Sequence, residues 1–159
     1  MTDDSSLLQA NARLLRSVLF VPGDKPRALD KAQGLGADAL IIDLEDAVAT
    51  ERKAEARRNA LDAVTRFRSH HLFTVLRIAE PGSPDLSADM MIAAQSRPDA
   101  VLVAKLEDAE QLSAVRKRLD EAGYDGPVWA MIETPRGVFN VEAIARAAPL
   151  NRLEALVAG

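Results

Sequence analysis

The chain has no cysteine, which excludes disulfides, thiolate zinc sites and a cysteine nucleophile. That absence fits a reducing cytoplasm, the expected location. Aromatic residues are only 4% of the 159 positions, and Trp129 and Tyr124 stand too far from other rings in sequence to make a stacking platform. No apolar run approaches the ~18 residues that a membrane span needs. Residues 1–11 are polar and acidic, with no basic region ahead of an apolar stretch, so they do not read as a signal peptide. There is no excess of positive charge either. A net charge of −4 and a pI near 5.2 argue against a nucleic-acid binder. Neither a nucleic acid nor a membrane is expected as a partner. The loop Val21-Pro22-Gly23-Asp24-Lys25-Pro26 lacks the spacing of a dinucleotide or P-loop fingerprint.

What is present is the composition of an ordinary globular domain, 48% apolar and 28% charged, in a chain long enough to bury a core. Short apolar runs alternate with longer amphipathic ones. Strands are expected over residues 17–21, 39–44, 72–78, 100–104 and 128–132, with a sixth beginning near 152. Helices are expected over 26–34, 51–68, 87–95, 108–122 and 138–147, the first with Asp24 as its N-cap and Pro26 in its first turn. This alternation implies parallel βαβ units. Two architectures fit: an open doubly wound sheet, and the first part of a (β/α)8 TIM barrel. The last run, Leu156-Val157-Ala158-Gly159, ends on an apolar strand and favours the second. The expected fold is therefore α/β, the N-terminal five βα units of a barrel plus the start of strand six. Residues 1–15 are expected to be a flexible tail, and 16–159 the N-terminal part of a single TIM-barrel domain. Such a piece would expose open strand edges, associate, and turn over poorly by itself.

The most informative run is Asp43-Leu44-Glu45-Asp46-Ala47-Val48, which follows the apolar Ala39–Ile42. Like charges crowded at a strand end disfavour ionisation unless a cation lies near. In parallel α/β proteins, ligands bind at the C-terminal strand ends. The run is expected to belong to such a site, the competing reading being a solvated turn. Arg77 closes the third strand, where an arginine needs an acidic partner or a ligand. It could grip a substrate carboxylate with two parallel hydrogen bonds, pair with Glu45 or Asp46, or do both. Glu133 closes the fifth strand as a natural oxygen ligand for Mg2+, or as an acid ahead of the next helix. Gly23 and the helix start beyond it could receive a phosphate or acyl tail. Lys105 and Glu107 read as a surface charge pair. Arg52, Lys53, Arg57 and Arg58 read as the wet face of a helix, and His70 and His71 as solvated loop residues on the non-catalytic side.

Arg16–Gly23, Gly36–Val48, Lys53 with Ala56-Arg57, Arg77, Lys105 with Glu107, and Ile132–Val138 together resemble the citrate lyase β-subunit-like family, in the HpcH/HpaI aldolase group of phosphoenolpyruvate/pyruvate-type barrels. The resemblance implies a barrel, commonly trimeric, that uses Mg2+. Members cleave or form the carbon–carbon bond of 3-hydroxy-acid acyl-CoA substrates such as citryl-CoA or malyl-CoA, and some hydrolyse the thioester. It further implies that Glu133 is one of two metal carboxylates and that Arg77 grips substrate. Glu45 and Asp46 would be the acidic pair beside it. Arg16 and the loop Pro22, Gly23, Lys25 would belong to the acyl-CoA or phosphate region. Ala79 stands where the family usually has asparagine and Ala104 where it usually has proline. The second metal carboxylate is expected after strand six. Two alternatives accompany this reading: an aldolase acting on a free keto acid such as pyruvate or glyoxylate, and a non-catalytic truncated homologue.

Overall fold

A computed structural model describes residues 15–159. Six strands, β1 (Val18–Pro22), β2 (Ala39–Asp43), β3 (Phe73–Ile78), β4 (Ala100–Val103), β5 (Val128–Ile132) and β6 (Leu153–Ala158), form one parallel sheet in chain order. Between them run α1 (Pro26–Ala32), a 3-10 turn at Thr50–Arg52 that leads into α2 (Lys53–Ser69), α3 (Leu86–Ser96), α4 (Ala109–Ala122), α5 (Pro135–Phe139), α6 (Val141–Arg146) and α7 (Ala148–Asn151). The proposed tail, residues 1–15, lies outside the described residues except for Leu15, which packs against the inner strand cluster described below.

The strand order decides between the two architectures. A doubly wound sheet reverses direction part-way and carries helices on both faces. Here each strand pairs with the next in sequence, and the helices share one face. Strand side chains alternate between faces. Leu40, Ile42, Leu76, Ile78, Val101, Val103, Val128 and Ala130 join helix residues such as Leu29, Ala60, Phe67, Met90, Leu112 and Ile144 in one cluster. Ile41, Val75, Leu102, Trp129 and Met131 form a second cluster with no helical member. Ile41, Val75 and Leu102 are nonetheless fully buried, so the sheet curls and the inner side chains cover one another. The Phe73 and Trp129 rings lie 5.9 Å apart although β4 runs between their strands. Flat neighbours-but-one would be roughly 9–10 Å apart. Trp129 therefore has an aromatic partner, contrary to expectation.

Local signals explain most helix limits. Asp108 caps α4 by accepting from Gln111 N at 2.8 Å, while Gln111 Oε1 accepts from Glu107 N, just before the cap, at 2.9 Å. Gly123 ends that helix at φ 92°. Helix α2 buries Ala56, Ala60, Ala63, Val64 and Phe67 along one stripe, and its alanines allow close approach to the sheet.

Two expectations need correction. Lys25, not Asp24, occupies the N-cap of α1, with no side-chain cap bond. Asp24 instead turns inward, where Oδ2 meets Arg52 Nε at 3.2 Å and Lys25 Nζ at 3.1 Å. The helix expected over 138–147 is three short helices. It starts earlier because Thr134 caps Gly137 N at 3.1 Å with Pro135 in the first turn. It breaks at Asn140, whose side chain donates to Glu107 O at 3.0 Å.

Gly137 sits where α5 crosses the β4–α4 connection. A Cβ there would lie 2.7 Å from the Leu106 carbonyl oxygen, a backbone atom that cannot swing aside. Gly137→Ala is expected to lower stability by about 1–3 kcal/mol in urea unfolding of the full chain. A change below about 0.5 kcal/mol would mean that this contact is slack.

Candidate active site

The inner-facing positions at the C-terminal ends of β2, β3 and β5 carry charged groups. Along β2 the inner parity runs Ile41, Asp43; along β3 it runs Val75, Arg77; along β5 it runs Trp129, Met131 and then Glu133. Register sets Asp43 beside Arg77. Arg77 Nε donates to Asp43 Oδ1 at 2.8 Å and Nη2 to Oδ2 at 2.5 Å. Both side chains are more than nine-tenths buried. Nη2 also lies 3.6 Å from Glu45 Oε2. The guanidinium stacks over Phe20 of β1 at 5.3 Å and points Nη1 at Met131 Sδ of β5, 3.4 Å away. Burial disfavours its charge, but the bonds to Asp43 more than compensate and raise its pKa.

The acidic loop is therefore ordered. Asp43 Oδ1 accepts from Glu45 N at 2.7 Å and Oδ2 from Ala47 N at 3.3 Å. Glu45 Oε2 accepts from Asp46 N at 2.7 Å. Lys53 Nζ donates to the carbonyls of Leu44 and Glu45, each at 2.6 Å. The solvated-turn reading fails here, because Asp43 and Glu45 are buried.

Lys105 closes the cluster from β4. Its Nζ reaches Glu45 Oε1 at 2.5 Å and Asp46 Oδ1 at 3.0 Å. Its backbone is left-handed, with φ 48°, and its N–H donates to Glu133 Oε1 at 3.0 Å. Burial raises the Glu45 pKa. Burial works against ionisation of Asp46 too, but the bond from Lys105 wins and lowers its pKa. The bond to Glu45 lifts the Lys105 pKa above the ordinary lysine value.

The structure thus brings Arg77, Glu45, Asp46 and Glu133 to one end of the sheet. Several sequence readings change. The two-pronged partner of Arg77 is Asp43, and the expected pairing with Glu45 is present as a single 3.6 Å contact; Nη1, beside Met131 Sδ, is the nitrogen that donates to no carboxylate among the described residues. Lys105 belongs to the site and does not pair with Glu107, which lies 4.0 Å from Arg136. Lys53, Arg52 and Arg57 are not a wet face. Lys53 holds the acidic loop, and Arg52 pairs with Asp24. Arg57 bonds Asp85 at 2.6 Å and Asp89 at 2.8 Å. Asp89 in turn accepts from Ala79 N at 3.0 Å and steadies the end of β3.

Pro22 and Gly23 lie at the same sheet end, next to Asp43. Gly23 N donates to Asp43 O at 2.8 Å, and its missing side chain admits Leu44 and Ala56. Glycine is needed there for packing. Lys25 is half exposed and paired with Asp24. Arg16 does not join the site: it precedes β1 and binds Asp38, ahead of β2, at 2.9 Å. The two meet at the N-terminal end of the sheet, a strand's length from Arg77.

Glu133 bears on the expected Mg2+. Among the described residues, no group of three or more His, Asp or Glu forms a metal cluster. Glu133 Oε2 accepts no hydrogen bond among them. A Cβ on Gly159 would come within 3.2 Å of that oxygen, so glycine keeps the space before it clear. One open carboxylate oxygen suits an ion that retains several waters.

Fold and site together define a singly wound parallel α/β protein with a charge-rich centre at its strand ends. The pattern of the HpcH/HpaI aldolase/citrate lyase family matches residues 16–159, and the chain belongs to that family. It is 42% identical over 134 residues to a (3S)-malyl-CoA thioesterase of Cereibacter sphaeroides, covering 84% of this chain and 46% of the relative. It is 32% identical over 158 residues to an L-malyl-CoA/beta-methylmalyl-CoA lyase of the same species, covering 93% and 49%. The protein CitE of Mycobacterium tuberculosis, solved with magnesium, acetoacetate and coenzyme A, superposes with a TM-score of 0.72 at 30% identity. That match covers 92% of this chain and 50% of CitE. The chain spans about half the length of the curated relatives it matches.

A raised pKa makes Lys105 a poor amine nucleophile at neutral pH. Its ion pairs contribute stability that is fully present below the unfolded lysine pKa, about 10.4, and lost as pH rises through the folded value. Acetic anhydride at pH 8 is expected to label the exposed Lys117 well ahead of Lys105, read by peptide mass spectrometry. Equal labelling would contradict the pairing.

Proposed function

We propose that this chain forms part of a Mg2+-dependent enzyme acting on 3-hydroxy-acid acyl-CoA thioesters, malyl-CoA or citryl-CoA, by carbon–carbon cleavage. The observation that carries the reading is one connected set of bonds at the strand ends. It runs from Asp43 and Arg77 through Glu45 and Lys105 to Glu133. Cleavage of such a substrate leaves negative charge on an enolate oxygen. Arg77 stays charged and presents Nη1 to an oxygen of the substrate, where preorganised donors lower the barrier. Glu133 Oε2 would hold Mg2+, which supplies Lewis-acid stabilisation of developing negative charge when bound. Glu45 and Asp46 fix Arg77 and Lys105. Family membership supports the substrate class, as does the CitE neighbour solved with magnesium and coenzyme A. The resemblance favours a homotrimer, and the sequence, without cysteine and with a net charge of −4, favours a cytoplasmic location without nucleic-acid or membrane partners. No helix among the described residues is long and apolar enough to cross a membrane.

One observation favours a second reading. Identity is higher to the malyl-CoA thioesterase than to the malyl-CoA lyase. The two are separated by product: malyl-CoA with Mg2+ and the full chain should give glyoxylate and acetyl-CoA under the lyase reading, and malate and free CoA under the thioesterase reading. Absence of both pairs of products would refute the acyl-CoA reading.

Glu133→Gln is expected to weaken Mg2+ binding by calorimetry while the thermal melt is kept. Unchanged affinity would remove Glu133 as the ligand. Arg77→Lys keeps the charge but loses the fork on Asp43. Turnover is expected to fall about tenfold or more, the factor for a charge-assisted contact of roughly 1.5–3 kcal/mol. Near-normal turnover would make Arg77 a bystander.

A further inference from the structure

Asp43, Glu45 and Asp46 are three carboxylates in four residues, and an acidic loop of that kind would ordinarily collect a cation from solvent. Here protein cations already fill it. Arg77 covers Asp43, and Lys53 caps the carbonyls of Leu44 and Glu45. The Lys105 ammonium sits between Glu45 Oε1 and Asp46 Oδ1, where an ion bridging the two would lie. Glu133 is the acid of this cluster that no ion pair within 4 Å neutralises among the described residues. Lys105 also governs Glu133, because its N–H engages Oε1 and leaves Oε2 open. The left-handed backbone at Lys105, costly for a residue with a Cβ, is what lets one residue face both ways.

We infer that Lys105 is a positioning residue that excludes divalent ions from the Glu45–Asp46 pair and confines them to Glu133. The ammonium acts as a built-in substitute ion, and the backbone N–H orients the carboxylate that is left. The second half of this inference rests on the Mg2+ reading of Glu133; the first half does not. An ammonium in the acidic pair also repels a second cation nearby, most strongly on the buried Glu45 side and less on the solvent-exposed Asp46 side.

The test is a titration of Mg2+, and of Mn2+ followed by electron paramagnetic resonance, into the full chain and its variants. Removing the ammonium in Lys105→Met, or in Lys105→Gln, is expected to create a second binding event or to tighten apparent affinity on the order of tenfold, while turnover falls. Lys105→Arg, which restores a cation, should return the stoichiometry to that of the unaltered protein. Adding Glu45→Gln to Lys105→Met should abolish the extra binding. A merely structural ion pair would lower stability without adding a metal site. The inference is overturned if folded Lys105→Met or Lys105→Gln binds Mg2+ as the parent does, or if neither variant folds. Glu133→Gln, measured in parallel, separates the two readings. Loss of the parent's binding there, with no new site in Lys105→Met, defeats the role of Lys105 alone. Unchanged binding there, with a new Glu45-dependent site in Lys105→Met, defeats the role of Glu133 and with it the confinement of the ion to that residue.

Discussion

The buried fork between Asp43 and Arg77 is the constraint on which the rest of the site depends. Each side chain is costly to bury alone, and removing one partner of such a pair is worth about 3–5 kcal/mol of destabilisation. The bond joins adjacent strands at matching register, so it holds β2 and β3 at the end where the chemistry lies. It also orders the loop beyond, because Asp43 accepts from Glu45 N and Ala47 N as well as from Arg77. Glu45 and Asp46 are thereby turned towards Lys105, and Lys105 towards Glu133.

The arrangement divides labour among charges. Arg77, Lys53 and Lys105 attend to the carboxylates and carbonyls of the acidic loop, and Glu133 is left with one oxygen open. Parallel strands make this division geometrically simple. Every strand ends at the same side of the sheet, and alternation sends Asp43, Arg77 and Glu133 inward. On the helix-covered outer face the strand residues are mostly aliphatic, among them Leu40, Ile42, Leu76, Ile78, Val101, Val103, Val128 and Ala130, and the buried Thr74 hydroxyl is satisfied by Leu72 O.

Much of the fold was legible because buried parallel strands are short aliphatic runs and their helices carry an apolar stripe. Singly wound order was not legible from those runs, since it follows from which face each helix covers. Arg77 and Glu133 stood out as charges closing apolar strands. Lys105 did not, because it lies just past the end of β4 in a left-handed turn that no glycine or asparagine announces. Lys53, Arg52 and Arg57 were hidden for a different reason. On a helical wheel Lys53 and Arg57 sit beside the alanine stripe, three residues before Ala56 and Ala60, but only the packing of α2 against the β1 and β2 loops and α3 brings carbonyls to Lys53 and acids to Arg52 and Arg57. Arg16 was misplaced because adjacency to a strand in sequence does not say which end of the sheet it serves. The binding and catalytic roles proposed here follow from the family and the chemistry of the groups, which spacing alone could not supply.

The dependence on the Asp43–Arg77 fork is tested most directly by a double-mutant cycle in the full chain, using Asp43→Asn, Arg77→Gln and the pair, each measured by urea unfolding. The account predicts strong non-additivity, with a coupling energy of about 2–3 kcal/mol, at the upper end for residues in direct contact. Effects that add to within about 0.5 kcal/mol would contradict it, and would mean that the acidic loop and Glu133 are held in place without the fork.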